Sequence, residues 1–385
     1  MPDRDTPGAD PSRRRIDFGL TPEDLGPRLH GSRAATARRM LPISWPAGDE
    51  PRPAELPEEP DPGDPLPRAD VLVVTWTAAE VLALADVLTP GVSPRTRWYR
   101  YDRGFEQLLP QIRPGAPARV ARRLGSYYPT RVGDTSVLCF KSELHLNQDG
   151  VRTGAGRATL PVAAMTRDIL GQVRPRLVLT VGTSGAVYAA HGLGDVVVTR
   201  GAKFVLEQEF AKEPFADTAY RSSAEIPTAR LATATTLMRA LAGNVREPDF
   251  GPPTKAYGAE GPLLAGPHNR PSIHVDGQDL PEYHPILSTD AFIFGTSDNG
   301  LDRVGCGVEM GDAVFGLVAE QMASHAGEAA VPWLVVRNLS NPAVNGDLPT
   351  EPIDMQAHWA SWYYEQFGYW TSVNSAIVAW AVIAA

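Results

Sequence analysis

The chain has 385 residues, 43% of them hydrophobic, which is enough for one large α/β domain or two smaller ones with a sizeable core. Its formal net charge of −9, from 36 Lys and Arg against 45 Asp and Glu, argues against sequence-independent nucleic-acid binding, which needs a basic footprint. The two cysteines, Cys139 and Cys306, read as buried thiols of a reducing compartment, and no apolar run approaches the ~20 residues of a membrane span, so a cytoplasmic protein with no membrane partner is expected.

In chain order, residues 1–67 differ from the rest. Arg13-Arg14-Arg15 is followed by no apolar segment, so it is not read as a secretory signal. Thr21 to Leu41 reads as a short basic, solvated helix. Pro46 to Pro67 holds eight prolines and seven acidic residues, too little apolar surface to offset the entropy of ordering, and is expected to be a disordered linker. The folded domain is expected over 68–385.

Asp70 to Thr75 is a short apolar strand, and Ala78 to Leu88 a helix ended by Pro90-Gly91. Between Ser93 and Tyr128, aromatic and basic residues interleave, and the acidic balance of the chain favours a surface or subunit contact there. Thr135 to Leu146 reads as a strand, Leu160 to Val173 as an amphipathic helix, and Arg176 to Val181 as a buried strand closed by Gly182-Thr183-Ser184-Gly185. Val196 to Thr199 is a strand and Thr228 to Ala242 a helix. The Gly- and Pro-rich stretch from Gly243 to Pro285 is too long for an ordinary connection and reads as a lid or insertion. Ile286 to Gly295 is strand-like and Gly305 to Ala323 reads as a long helix. Trp333 to Val336 is a buried strand that turns polar at Arg337, Asn338, Ser340 and Asn341 and stops at Pro342, with a turn at Asn345-Gly346-Asp347. His358 to Ala385 is an aromatic-rich helix. Strands alternating with helices predict a three-layer α/β domain with a largely parallel sheet.

Several common motifs are missing. Gly154-Ala155-Gly156 lacks the third glycine of a dinucleotide fingerprint, no P-loop occurs, and no His/Cys cluster has metal-ligand spacing, so no metal and no organic cofactor is expected. Polar residues instead gather at the ends of apolar elements, where open α/β sheets bind ligands. These are Glu80 after the first strand, Thr183 and Ser184 after the third, Glu309 and Met310 in an otherwise apolar run, and Arg337 and Asn341 at the end of the last.

Taken together, these residues give a resemblance. ThrTrpThrAlaAlaGlu80, ValGlyThrSerGlyAla186 followed by GlyAspValValVal198, SerThrAspAlaPheIle293, ValGluMet310 and ValValArgAsnLeuSerAsn341 resemble, in order and spacing, the purine nucleoside phosphorylase and uridine phosphorylase superfamily, nearest the methylthioadenosine/adenosylhomocysteine nucleosidases. The resemblance implies a mixed, partly barrel-like central sheet flanked by helices and cleavage of an N-glycosidic bond by water or phosphate. It also implies a nucleoside-like substrate and a homo-oligomer. By the same resemblance Glu80 helps activate water, Thr183 touches the nucleophile and Arg337 lies on the nucleophile side. Phe292 stacks on the base, Ile293 contacts it through its backbone, and Met310 lies below the ribose. Glu80 leans the expectation towards hydrolysis, with phosphate as the alternative co-substrate.

Two positions depart from the pattern. Gly311 stands where the family has the ribose-binding glutamate. Glu309 or Asp312 is the nearest replacement, although adjacent helical positions point about 100° apart. Asn341 stands where the nucleosidases have a general-acid aspartate. An amide cannot deliver a proton as a carboxylic acid does, but it can donate a hydrogen bond to a 6-oxopurine. A purine nucleosidase is therefore the leading expectation, with a catalytically impaired nucleoside-binding module or an enzyme of specialised metabolism as alternatives.

Overall fold

The computed structural model describes residues 40–146, 149–188, 190–242, 270–276, 284–290, 293, 300–342 and 353–385, the side chains of 342, 353–363, 365 and 366 apart. Its strands are β1 (Arg52–Pro53), β2 (Val71–Thr75), β3 (Tyr99–Tyr101), β4 (Gly125–Val132), β5 (Thr135–Ser142), β6 (Arg152–Gly154), β7 (Arg157–Ala158), β8 (Leu177–Ala186), β9 (Val196–Thr199), β10 (Gly201–Val205), β11 (Ala219–Arg221), β12 (Ile273–Val275), β13 (Ile286–Thr289), β14 (Gly307–Glu309) and β15 (Trp333–Pro342). The long helices are α1 (Ala78–Leu88), α2 (Pro161–Val173), α3 (Thr228–Leu241), α4 (Asp312–Ala326) and α5 (Ile353–Ile383).

All strands but the β6–β7 hairpin form one 13-stranded mixed sheet. β2 lies parallel to both β5 and β8, and β15 parallel to β8. The sheet branches at β8, which also meets β14 in antiparallel fashion at Gly185. From β8 a circuit runs through β15 to β9, across Arg200 into β10, then through β13 and β14 back to β8. This closed path is the expected barrel-like part. Ala186, Val197, Cys306 and Leu339 form a small apolar cluster of their own among its strands.

Side-chain alternation divides the core into two layers. Val71, Val73, Leu334 and Val336 face one way and pack with α1, α3 and α5, whereas Leu72, Val74, Trp333 and Val335 face the other and pack with α2 and α4. The expected three layers follow from this two-faced burial. Cys139 and Cys306 are both buried and unbridged.

Several expectations need correction. The proline-rich segment is ordered from residue 40 onwards. Arg52 and Pro53 pair with Arg131 and Thr130 on β4, Leu66 is buried, Trp45 packs on Trp380, and the Trp380 indole N–H donates to the Asp49 carbonyl at 2.6 Å. A few anchors suffice because proline has already lost much of its backbone freedom in the unfolded chain. β8 runs on through Gly182 to Ala186, and β15 continues through the polar residues to Pro342 instead of stopping before it. The expected helix from Gly305 is a strand over Gly307–Glu309, and α4 begins only at Asp312. Part of the expected insertion is a sheet strand, since β12 runs parallel to β9. Phe292, the turn at Asn345-Gly346-Asp347, residues 1–39 and most of Gly243–Pro285 lie outside the described residues. No helix among the described residues is long and apolar enough to cross a membrane.

Candidate active site

The strand ends define one cleft. Its lining includes Trp76, Glu80, His145, Thr183, Ser184, Ile293, Glu309, Met310, Arg337 and Asn341, and it holds about 550 Å³ including the open space at its mouth. Every candidate residue read from the sequence that is described therefore reaches the same space.

Glu80 is placed by the start of α1, where Thr77 caps the helix and forms a capping box with it. Its Oε2 accepts hydrogen bonds from Thr75 Oγ1 (3.0 Å), Trp76 N (2.9 Å) and Thr77 N (2.8 Å). Its Oε1 accepts from Thr183 N (2.7 Å) and Thr183 Oγ1 (2.8 Å). Burial pushes this carboxyl up, but the Arg337 charge and the backbone N–H donors outweigh that and hold it below its ordinary value. A carboxylate with five donors is a clamp joining β2, α1 and β8. Both of its oxygens are thereby engaged, at the residue to which the resemblance gives the activation of water.

Arg337 is the centre of the site. Its Nε and Nη2 donate to Asp312 Oδ2 (2.8 Å) and Oδ1 (2.5 Å), Nη1 donates to the Thr183 carbonyl (3.2 Å), and Nη2 reaches Glu309 Oε2 at 3.4 Å. Glu80 Oε1 lies 3.9 Å from Nη1, and the guanidinium sits 4.7 Å from the Trp76 ring centroid in a cation–π contact. Burial would lower its pKa, yet Asp312 and Glu309 raise it further, so Arg337 stays a cation. Gly182 makes this approach sterically feasible. A Cβ there would stand 2.5 Å from Glu80 Oε1 and 2.6 Å from Arg337 Nη1.

Glu309 ends β14, and its Oε1 accepts from Ser288 Oγ and from Asp312 N at 2.9 Å. Three buried carboxyl groups cannot all ionise around a single cation. Burial, with the Asp312 charge beside it, pushes Glu309 up to about 8, which favours its neutral form. Gly311, the N-cap of α4, has extended backbone with φ 172°, so the chain between Glu309 and Asp312 is not helical and the two carboxyls converge on one arginine. Asp312 is fully buried with both oxygens on Arg337, which removes it as a substitute ribose ligand and leaves Glu309 facing the cleft.

Near the other end of the cleft, a register shift between Leu339 and Asn341 adds one residue to β15 opposite the Ser184–Gly185 step of β8. Asn341 Oδ1 accepts from Ser340 Oγ at 3.1 Å. Ser184 Oγ donates to the Asn338 carbonyl at 3.4 Å. Met310 and Ile293 supply apolar wall.

Sequence reasoning named Asp312 as a possible ribose ligand and missed its role as the bidentate partner of Arg337. It missed Trp76 and Ser288 altogether as contributors, although the Ser288 hydroxyl meets both Glu309 and Ala313 N. A buried arginine in an apolar strand does demand carboxylate partners, and that rule points towards Asp312. Among the described residues, no group of three His, Cys, Asp or Glu side chains is arranged to hold a metal ion.

The chain matches no protein-family profile and no curated protein sequence. It is similar to several solved structures. The 5'-methylthioadenosine/S-adenosylhomocysteine nucleosidase of Neisseria meningitidis, in complex with methylthio-immucillin-A, is 12% identical with a TM-score of 0.46, the alignment covering 82% of this chain and 99% of that one. The Helicobacter pylori nucleosidase of the same name is 11% identical, with a TM-score of 0.46 and coverage of 82% and 98%. Futalosine hydrolase of Helicobacter pylori is 11% identical, with a TM-score of 0.43 and coverage of 81% and 96%.

Proposed function

We propose that the cleft binds a purine-nucleoside-like compound and hydrolyses its N-glycosidic bond. The observation that carries this reading is the cluster of three carboxyl groups, with Glu80 and Asp312 as the anions and Glu309 beside them, around a single buried Arg337 next to an open cleft. Glycosidic cleavage builds positive charge on the sugar, and a fixed, water-poor site with excess negative charge stabilises it. The protonated Glu309 offers a hydrogen bond to a ribose hydroxyl. The Asn341 amide donates one to the departing base, which suits a 6-oxopurine.

The same cluster favours water over phosphate. Four hydrogen bonds already engage four of the five N–H donors of Arg337, and three carboxyl groups surround it. An incoming phosphate would meet repulsion and no available guanidinium fork.

The test is base release from inosine, guanosine, adenosine and methylthioadenosine, with and without phosphate, by purified protein. Release independent of phosphate is the expected result, and absence of release from all four refutes the hydrolase reading for these substrates. A second reading, a nucleoside-binding module without turnover, is favoured by the five donors that occupy Glu80. Calorimetric binding of a nucleoside that is never cleaved would select it. Self-association belongs to the same proposal, and light scattering checks it.

A further inference from the structure

Hydrolysis needs a group that takes a proton from water, and the residues discussed above do not supply one. The titratable side chains lining the cleft among the described residues are Glu80, His145, Glu309 and Arg337. Glu80 already accepts five hydrogen bonds, Arg337 is a cation, and burial beside Asp312 raises Glu309 towards its neutral form. His145 is left, and a neutral imidazole keeps a lone pair on one ring nitrogen.

His145 follows β5 and is held from behind. Its backbone N–H donates to Asp149 Oδ2, and its ring Nδ1 lies 3.7 Å from the same oxygen. Asp149 is fully buried, and its own backbone carbonyl accepts from Arg113 N at 2.8 Å, which fixes it in place. Its Oδ1 and the His145 Nδ1 are buried polar atoms with no hydrogen-bond partner among the described residues. A buried carboxylate oxygen and a buried ring nitrogen so placed are each costly unless they pair. The oxygen near the ring is Oδ2, and closing its 3.7 Å gap to about 2.8 Å, an ordinary charge-assisted distance, would give Nδ1–H a partner. That tautomer leaves Nε2 as the acceptor.

Resting on the nucleosidase reading, we propose that His145 is the general base that activates the attacking water and that Asp149 is the residue positioning its ring. In the step, the water oxygen bonds to the sugar C1′ as the C1′–N bond breaks. The bonding pair leaves with the base, which Asn341 holds by a hydrogen bond and which takes a proton from solvent at the cleft mouth. The proton lost by the water goes to His145 Nε2 and then to solvent. Water is thus divided between sugar and base, with no other reactant.

The experiment compares base release by wild type, His145→Ala, His145→Gln and Asp149→Asn, with and without added imidazole. Removing a general base lowers kcat by about 10²- to 10⁴-fold, here with KM held within a few-fold. Imidazole is expected to restore part of the His145→Ala rate and none of the His145→Gln rate, whose side chain fills the space. Asp149→Asn is expected to show a smaller loss in kcat with an altered pH profile. If His145→Ala melts below the assay temperature, His145→Gln carries the comparison. An active wild type whose His145 variants keep their kcat, or lose activity only through KM, overturns this role and leaves the nucleosidase reading standing. A wild type that releases no base overturns both.

Discussion

Replacing Arg337 by Met keeps the length and most of the volume of the side chain and removes the cation at the centre of the site. Glu80 retains its five donors and Glu309 is already neutral, so the burden falls on Asp312, whose two oxygens lose their bidentate partner inside a fully buried site. The variant then escapes a bare buried charge by protonating a carboxyl. Keeping an aspartic acid neutral at pH 7.5 against a reference value of about 3.9 costs about 5 kcal/mol, and at pH 5 about 1.5 kcal/mol. Loss of one partner of a buried ion pair typically costs about 3–5 kcal/mol, which agrees at the upper end. Urea unfolding of wild type and Arg337→Met at pH 5, 6, 7 and 8 measures the difference. The expected destabilisation grows by about 1.4 kcal/mol for each pH unit across this range. A loss that is flat with pH, or below about 1 kcal/mol at pH 7.5, would refute the view that Arg337 is what keeps the buried Asp312 carboxylate ionised.

The remaining predictions use the same observables. Glu309→Gln should flatten the pH dependence of stability. With its folded pKa raised, Glu309 binds a proton more tightly in the folded chain, so its contribution is complete below the ordinary glutamate range and is lost as pH rises towards about 8. Wild type should therefore lose up to about 1.4 kcal/mol per pH unit in that window from this group, and the Gln variant should not. The Glu80 contribution has the opposite sign, being lost as pH falls through its lowered value, so acid unfolding of Glu80→Gln should have a shallower slope than that of wild type. Gly182→Ala should destabilise by about 1–3 kcal/mol and abolish base release, because the new methyl separates Glu80 from Arg337; thermal melts and the release assay check both. Gly311→Glu with Asn341→Asp should shift preference from inosine towards adenosine. The nearest atoms to a Cβ at 311 are those of Trp76 and Glu309 Oε2, at 3.7–3.8 Å, so the first carbon of the new side chain is in ordinary contact. An unchanged preference would remove Asn341 from base recognition.

Different parts of the structure were legible in the sequence to different degrees. The alternation in VLVV of β2 and LVVR of β15 read directly as buried strands, and the abrupt arrival of Arg337 marked the functional end. Glu309 was misplaced for a physical reason: the run from Gly305 to Ala323 is apolar enough for a continuous helix, and nothing local reveals that backbone extension at Gly311 breaks it in two. The role of Glu80 was half visible. Thr77-x-x-Glu80 is a capping-box pattern and already pointed to structural use, but the two bonds from Thr183 span 103 residues of sequence. His145 escaped notice because it fell inside the expected strand Thr135 to Leu146, whereas β5 ends at Ser142, and Asp149 because it belongs to no periodic element. Their meaning comes from burial and from the cleft they share with distant strands. The proline-rich segment misled in the other direction, since composition weighs the average residue and Trp45, Asp49 and Leu66 are not average.

That segment has a practical consequence. Residues 52–53 cover the edge of β4 beside Thr130 and Arg131, and the Asp49 carboxylate also binds Arg230 of α3 at 2.8 Å. Shortening the protein at residue 68, where composition changes, would strip hydrogen-bond partners from a long strand and leave Trp380 without its lid. An open strand edge beside a bare indole invites chain-to-chain pairing. A shortened gene that begins near Met40 keeps both coverings, so the two truncations should separate cleanly in expression trials, one soluble and one aggregated.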